Sequence, residues 1–246
     1  MGGGQGSDCA RAGRVSGGTS GLVSGAYFSP RLFQFLRELE THNDRAWFEA
    51  NRERYEAHVK EPMLRFISDL GTPLRKISPH LEVDPRPVGG AMFRIHRDIR
   101  FSKDKSPYKT HVGAHFPHAR AGPDESAPGF YIHLEPAHSI GGGGLWHPDS
   151  AALRRVRDRI VARPREWNAI ADAGISVDGE SLKRVPPGYT PDHPLAEALK
   201  LKDFYVMEQF SEKQVCAADF IKTFTDACRA AAPLMKFLTQ AVGLPW

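Results

Sequence analysis

The sequence has few of the features that mark an extracellular or membrane protein. It contains only three cysteines in 246 residues. Cys216 and Cys228 would lie about 18 Å apart on one predicted helix, which is too far for a disulfide. No apolar run approaches the roughly 20 residues that a membrane-spanning helix needs. These absences predict a protein of the reducing cytoplasm without a membrane segment.

Common catalytic motifs are also missing. The sequence contains no HExxH and no paired CxxC, and Ser102 and Ser106 do not lie in a Gly-x-Ser-x-Gly elbow. The run Gly141–Gly144 lacks the Gly-Lys-Ser/Thr ending of a P-loop, so we expect it to form a flexible turn. The sequence therefore identifies no cofactor, and it does not decide whether the protein is an enzyme.

Composition divides the chain into two parts. The first 25 residues contain nine glycines and no apolar core of the kind that a secretory signal requires. We predict that residues 1–26 are a disordered tail and that residues 27–246 form a single globular domain. The sequence pI of about 9.0 is compatible with a nucleotide or nucleic-acid partner but does not argue for one.

The hydrophobic period changes along the chain. A helix is expected from Ser29-Pro30, a second after an N-cap at Asn43, and a third from Pro62. Period-two alternation then predicts strands at 92–101, 110–117 and 129–135, with an edge strand near 204–206. Because helical spacing returns at Ser150, the pattern indicates an α+β fold, with an antiparallel meander flanked by N-terminal and C-terminal helices.

The stretch 93–110 is the most unusual part of the sequence. Its six Arg or Lys side chains and two carboxylates leave an excess of four positive charges. Alternation predicts that Phe93, Ile95, Ile99 and Phe101 pack on one side of a strand. The opposite side would join the polar face of the sheet, formed by Arg94, His96, Asp98, Arg100, His111, His115, Tyr131, His133 and Glu135.

This pattern predicts an anion site. Arginine can hold a phosphate through two hydrogen bonds, and lysine adds a compact mobile charge. The expected ligand-binding residues are Arg94, Arg97, Arg100, Lys103, Lys105 and Lys109. A solvated, salt-bridged strand and turn would use the same residues. Arg97 interrupts the apolar side, so we expect it to need a carboxylate partner.

Two alternatives stay open at this point. The first is a metal-dependent hydrolase whose ligands come from the polar face, namely His96, Asp98, His111, His115 and His133. In an enzyme, His96, Asp98, His111 and His133 are the candidates for catalytic work. The second is a non-catalytic module that binds nucleic acid or protein. The sequence assigns no metal and no oligomeric state.

Several motifs resemble a known family. They are Asn43-x-x-x-Trp47-Phe48, the run Arg100-Phe-Ser-Lys-Asp-Lys105, Gly143-Gly-Leu-Trp146 and Lys183-Arg184-x-Pro186. Together they resemble the bacterial and fungal family called domain of unknown function 2461, over about residues 28–240. The resemblance implies a shared fold, and it carries over no activity or cofactor.

Overall fold

The computed structural model describes residues 1, 25–122 and 125–246. Nearly all of the predicted disordered tail, residues 1–26, lies outside these ranges, so the division at residue 27 stays a prediction. No described helix is long and apolar enough to cross a bilayer.

The architecture is the expected α+β arrangement. Helices precede and follow one antiparallel sheet, whose strand order is β1-β2-β3-β4. The strands are β1 Val112–Pro117, β2 Gly129–Leu134, β3 Ser139–Leu145 and β4 Phe204–Phe210. The helices before the sheet are α1 Pro30–Thr41, α2 Arg45–Ala50, α3 Arg52–Tyr55 and α4 Glu61–Arg75, with a π-helical turn Glu56–Lys60 between α3 and α4. The later helices are α5 Ser150–Ala162, α6 Pro164–Asp172, α7 Ala196–Lys200, α8 Glu212–Val215 and α9 Phe220–Ala241.

Local sequence explains the first helices. Ser29 has extended backbone and Pro30 occupies the first helical position of α1, as predicted. The predicted cap of α2 is wrong by one residue: Asp44, not Asn43, accepts the Trp47 N–H at 2.9 Å. Asn43 is instead engaged with a distant part of the chain, which frees Asp44 to satisfy the helix terminus.

The glycine run is a strand, not the expected turn. Residues Gly141–Gly144 form the centre of β3 and pair with both β2 and β4. A Cβ on Gly141 would lie 2.7 Å from the Phe224 ring of α9 and 2.9 Å from the ring of Phe210. Glycine is therefore required because α9 lies directly against the strand, and this long-range packing outweighs the low strand propensity of glycine.

One cluster of apolar side chains fills the space between the sheet and its covering helices. The inward residues Ala114, Phe116, Phe130 and Ile132 are fully buried there. A second cluster joins α5, α6 and the C-terminal half of α9 around Trp167. Because α9 contributes to both clusters, it ties the sheet to the later helices.

We expect Gly141→Ala to destabilise the protein by about 1–3 kcal/mol, because the added methyl group would overpack the Phe224 and Phe210 rings. Urea unfolding followed by circular dichroism measures the change. Gly25→Ala is the matched control, since no atom lies within 4 Å of its added Cβ. Equal unfolding midpoints for the two variants would contradict close packing of α9 on β3.

Candidate functional site

The face of the sheet that α9 does not cover carries the polar side chains. His115 and Tyr131 are direct partners on β1 and β2, and Gly113 is paired with His133. Alternation places these side chains opposite Ala114 and Ile132, which enter the core. The predicted polar face is therefore present on β1 and β2, where it is half-buried.

Glycines make room for the rings on this face. A Cβ on Gly113 would lie 3.2 Å from the Tyr131 hydroxyl, and one on Gly129 would lie 2.2 Å from Nε2 of His115. Each ring therefore lies over the glycine of the neighbouring strand. This arrangement holds Tyr131 and His115 close to the sheet surface.

At one end of the face, His111, His133 and Glu135 form a compact cluster. One nitrogen from each histidine and one oxygen of Glu135 lie within 4.8 Å of one another. His133 Nε2 is 3.1 Å from Glu135 Oε2, and His133 Nδ1 is 3.0 Å from the Tyr131 hydroxyl. The His111 and His133 rings stack with centroids 4.2 Å apart. This end of the sheet therefore gathers two imidazoles and a carboxylate.

Burial shifts the pKa of three side chains on this face, those of His111, His115 and Tyr131. Burial, followed by repulsion from His133, lowers the pKa of His111 to about 4. Burial also lowers the pKa of His115, and burial followed by the Glu135 charge raises that of Tyr131. His111 is consequently uncharged at neutral pH and has a free nitrogen lone pair.

Residues 94–109 form a loop beside this face, here called the basic loop. The chain enters it along β1, where Phe93 donates its N–H to Gly113 O at 3.0 Å. The loop doubles back on itself through two backbone bonds, from Arg97 N–H to Pro107 O at 2.9 Å and from Lys109 N–H to Ile95 O at 2.8 Å.

An asparagine fastens the end of the basic loop to the helices. The Asn43 side chain accepts the Tyr108 N–H and donates to the Tyr108 carbonyl, both at 3.0 Å. The Tyr108 ring stacks on Phe48 with centroids 4.1 Å apart. These contacts hold Lys109 at the edge of the sheet.

The predicted strand at 92–101 is wrong. Only isolated bridges occur there, and Phe101 is 94% exposed while Ile95 alone of the four expected apolar side chains is buried. Asp98 accepts the Arg100 N–H at 3.2 Å, and Asp104 accepts the Ser106 N–H at 2.9 Å. Such side-chain bonds to the backbone two residues on compete with the ladder of a sheet.

Three of the six expected anion-binding cations already have partners. Asp98 holds Arg100 through two nitrogens, at 2.9 and 2.7 Å. Arg97 pairs with Asp104 and also donates to Ser106 O at 3.3 Å, so it has the carboxylate partner that the sequence led us to expect. Lys105 donates to Ile99 O at 3.0 Å. The Ser106 hydroxyl and N–H, and then Arg97, hold the pKa of Asp104 well below its usual range.

Arg94, Lys103 and Lys109 differ from the other cations. Their side chains make no hydrogen bond or ion pair with another described residue, and Lys109 Nζ lies 5.3 Å from the centre of the Phe93 ring. Burial, followed by repulsion from Arg94, lowers the pKa of Lys109. The positive charges of Arg94 and Lys109 therefore act on each other, and the charge of Lys109 also acts on His111 at the histidine end of the sheet. Phe93, next to Arg94 in the chain, lies near Tyr131 with ring centroids 6.1 Å apart.

The metal ligands suggested by the sequence do not all meet. His96 is exposed in the basic loop, with its ring 5.2 Å from that of Tyr108, and Asp98 pairs with Arg100. His115 lies over Gly129, outside the cluster of His111 and His133. Glu135 completes that cluster although the sequence had suggested it only as part of the polar face. The signal in the sequence was the alternation of Tyr131, His133 and Glu135, of which Glu135 directly follows the last residue of β2.

A comparison with models of protein families identifies the family of this chain. A family model described as "Conserved hypothetical protein (DUF2461)" matches residues 31–237. The chain belongs to this family. The DUF2461 region includes all four strands, the basic loop and the His111, His133 and Glu135 cluster. No curated protein and no solved structure matches the chain at a significant level.

Arg97→Ala should destabilise the protein by about 1–2 kcal/mol, because it removes two hydrogen bonds and leaves the Ser106 carbonyl without its donor. Lys105→Ala should stay within about 0.5 kcal/mol, since Lys105 is exposed and water can replace its bond to the Ile99 carbonyl. Urea midpoints measure both variants. If they unfold alike, Arg97 has no greater structural role than an exposed lysine.

Proposed function

We propose that this DUF2461 protein binds a small anionic ligand, of the phosphate-bearing class, at the edge of the polar sheet face. Arg94 and Lys109 supply the principal contacts, and Lys103 adds positive potential. The observation that carries the proposal is that Arg94 and Lys109 have no carboxylate partner among the described residues, although Lys109 is half-buried beside the Phe93 ring, with its Nζ 5.3 Å from the ring centre. Phe93 and Tyr131 provide an aromatic surface next to them.

Electrostatics favours an anion at this position. Two neighbouring cations repel each other, and the repulsion is larger for a half-buried lysine than for one in bulk water. A bound phosphate would remove this cost, with Arg94 able to form paired hydrogen bonds and Lys109 a single strong one. The proposal therefore uses a smaller set of cations than the sequence suggested.

A small ligand suits the basic loop better than a nucleic-acid backbone. A backbone is bound by a row of available cations that release counterions from successive phosphates. Asp98 and Asp104 neutralise Arg100 and Arg97 in the turn of the loop between residues 97 and 107. Of the three unpaired cations only Lys103 lies in that turn, so most of the unpaired charge is at Arg94 and Lys109, which favours a compact anion.

We also propose that the protein works in the cytoplasm. Cys216 and Cys228, the two cysteines among the described residues, are free thiols. Burial raises the pKa of the Cys228 thiol well above its usual value, which makes it unreactive. Unpaired thiols are ordinary in a reducing compartment.

The decisive variant is Arg94→Gln/Lys109→Gln. Calorimetry and thermal denaturation, both with EDTA present, would compare phosphate, pyrophosphate, ATP and a hexose phosphate as ligands. We expect at least one of them to bind the wild type, and we expect the double variant to lose about 100-fold or more in affinity. Each charged hydrogen bond contributes on the order of 1.5–3 kcal/mol, which is about 10-fold or more per contact.

Two control variants test whether a loss of binding is specific to Arg94 and Lys109. Lys222→Gln/Arg229→Gln changes the net charge equally, but on α9, where both side chains pair with Asp226, and it should bind as the wild type does. Arg100→Gln should weaken binding only slightly, because Asp98 already holds that guanidinium. Loss of binding in Arg100→Gln equal to that in the double variant would place the anion at the far end of the loop and overturn the proposal.

Binding measured at increasing salt concentrations distinguishes the small-anion site from a nucleic-acid-binding module. Binding of a short single-stranded oligonucleotide that falls steeply with salt, without binding of any small phosphate, would support the nucleic-acid module instead. Absence of binding by every anion tested would also refute the proposed function.

A further inference from the structure

We propose that His111, His133 and Glu135 bind a divalent transition-metal ion. The three ligand atoms already lie within 4.8 Å of one another. A tetrahedral zinc site with bonds of 2.0–2.1 Å places its ligand atoms about 3.3 Å apart. Side-chain rotation closes that difference, and the His133 to Glu135 distance of 3.1 Å has nearly the required value.

The surroundings of the cluster match those of a metal centre. His133 would coordinate through Nε2, while its Nδ1–H donates to the Tyr131 hydroxyl, now 3.0 Å away. Glu135 has a further contact, from the Thr110 hydroxyl to Oε1 at 3.4 Å, which orients the carboxylate. Partners of this kind set the tautomer and direction of metal ligands.

The hydrogen bond between His133 and Glu135 does not explain why His111 lies beside them. His133 and Glu135 satisfy each other, whereas the His111 ring makes no hydrogen bond to another described residue. It nevertheless stacks on His133 and presents a nitrogen to the same point. A metal ion would give this half-buried nitrogen a partner.

Lys109 is the cation whose charge reaches His111, and the carboxylate of Glu135, within 4.8 Å of the histidine nitrogens, opposes it. Arg97 and Arg100, which would repel a metal if they lay on the polar face, are bound by Asp104 and Asp98 in the basic loop. Glu135 supplies one negative charge to the site itself. Two imidazoles and one carboxylate suit zinc, iron(II) or manganese and leave coordination positions open for water or an anion.

The proposal is independent of the anion site and can be tested without it. The full-length protein would be stripped with a chelator, dialysed against zinc or cobalt(II) without phosphate, and analysed for bound metal by elemental analysis. We expect one equivalent per chain. Cobalt(II) should give visible absorption bands, which report coordination directly and do not depend on any catalytic activity.

Three variants remove one ligand each: His111→Ala, His133→Ala and Glu135→Gln. Each should weaken metal affinity by more than the roughly 10- to 100-fold that loss of an outer partner costs. Glu135→Gln is nearly isosteric, so it keeps the test valid if a histidine variant fails to fold. His96→Ala is the matched control, because it removes an exposed histidine of the basic loop; it should bind metal as the wild type does.

Two results would overturn the metal site. One is absence of both stoichiometric metal and cobalt absorption in the wild type. The other is equal affinity in Glu135→Gln and the wild type. Loss of metal in His111→Ala with phosphate binding retained would support the metal site and show that the two proposals are separate.

Discussion

The structure depends on the direct contact between helix α9 and strand β3. Gly141 and Gly143 have no side chains, so the Phe224 ring and the sulfur of Met235 reach the strand itself. Any larger residue would push the helix away from the sheet. Because α9 also packs on α5 and α6 through its C-terminal half, this contact joins both apolar clusters of the protein.

The helices cover one face of the sheet, and the candidate site lies on the opposite face. Phe116, Phe130 and Ile132 are buried in the core. Because side chains alternate along a strand, His115, Tyr131 and His133 point to the opposite side. Gly113 and Gly129 let the Tyr131 and His115 rings lie close to the backbone of the sheet. The same side-chain period therefore produces both the core and the candidate site.

The basic loop shows how a charged segment can be ordered without being a strand. Asn43 provides both a donor and an acceptor for Tyr108, as a neighbouring strand would. Asp98 and Asp104 close local turns and hold Arg100 and Arg97 at the same time. The result separates structural cations from Arg94 and Lys109, whose charges stay available.

Sequence alone determined the fold class, the first helices, the polar alternation of β1 and β2, and the identity of the charged segment. Those features depend on neighbours within a few residues, where side-chain spacing and capping act. Only the tertiary structure decided that Gly141–Gly144 is a strand, that Asn43 binds Tyr108, and that Glu135 joins His111 and His133. Each of these rests on contacts between segments distant in sequence or on different strands, whose packing and hydrogen bonds outweigh local preference.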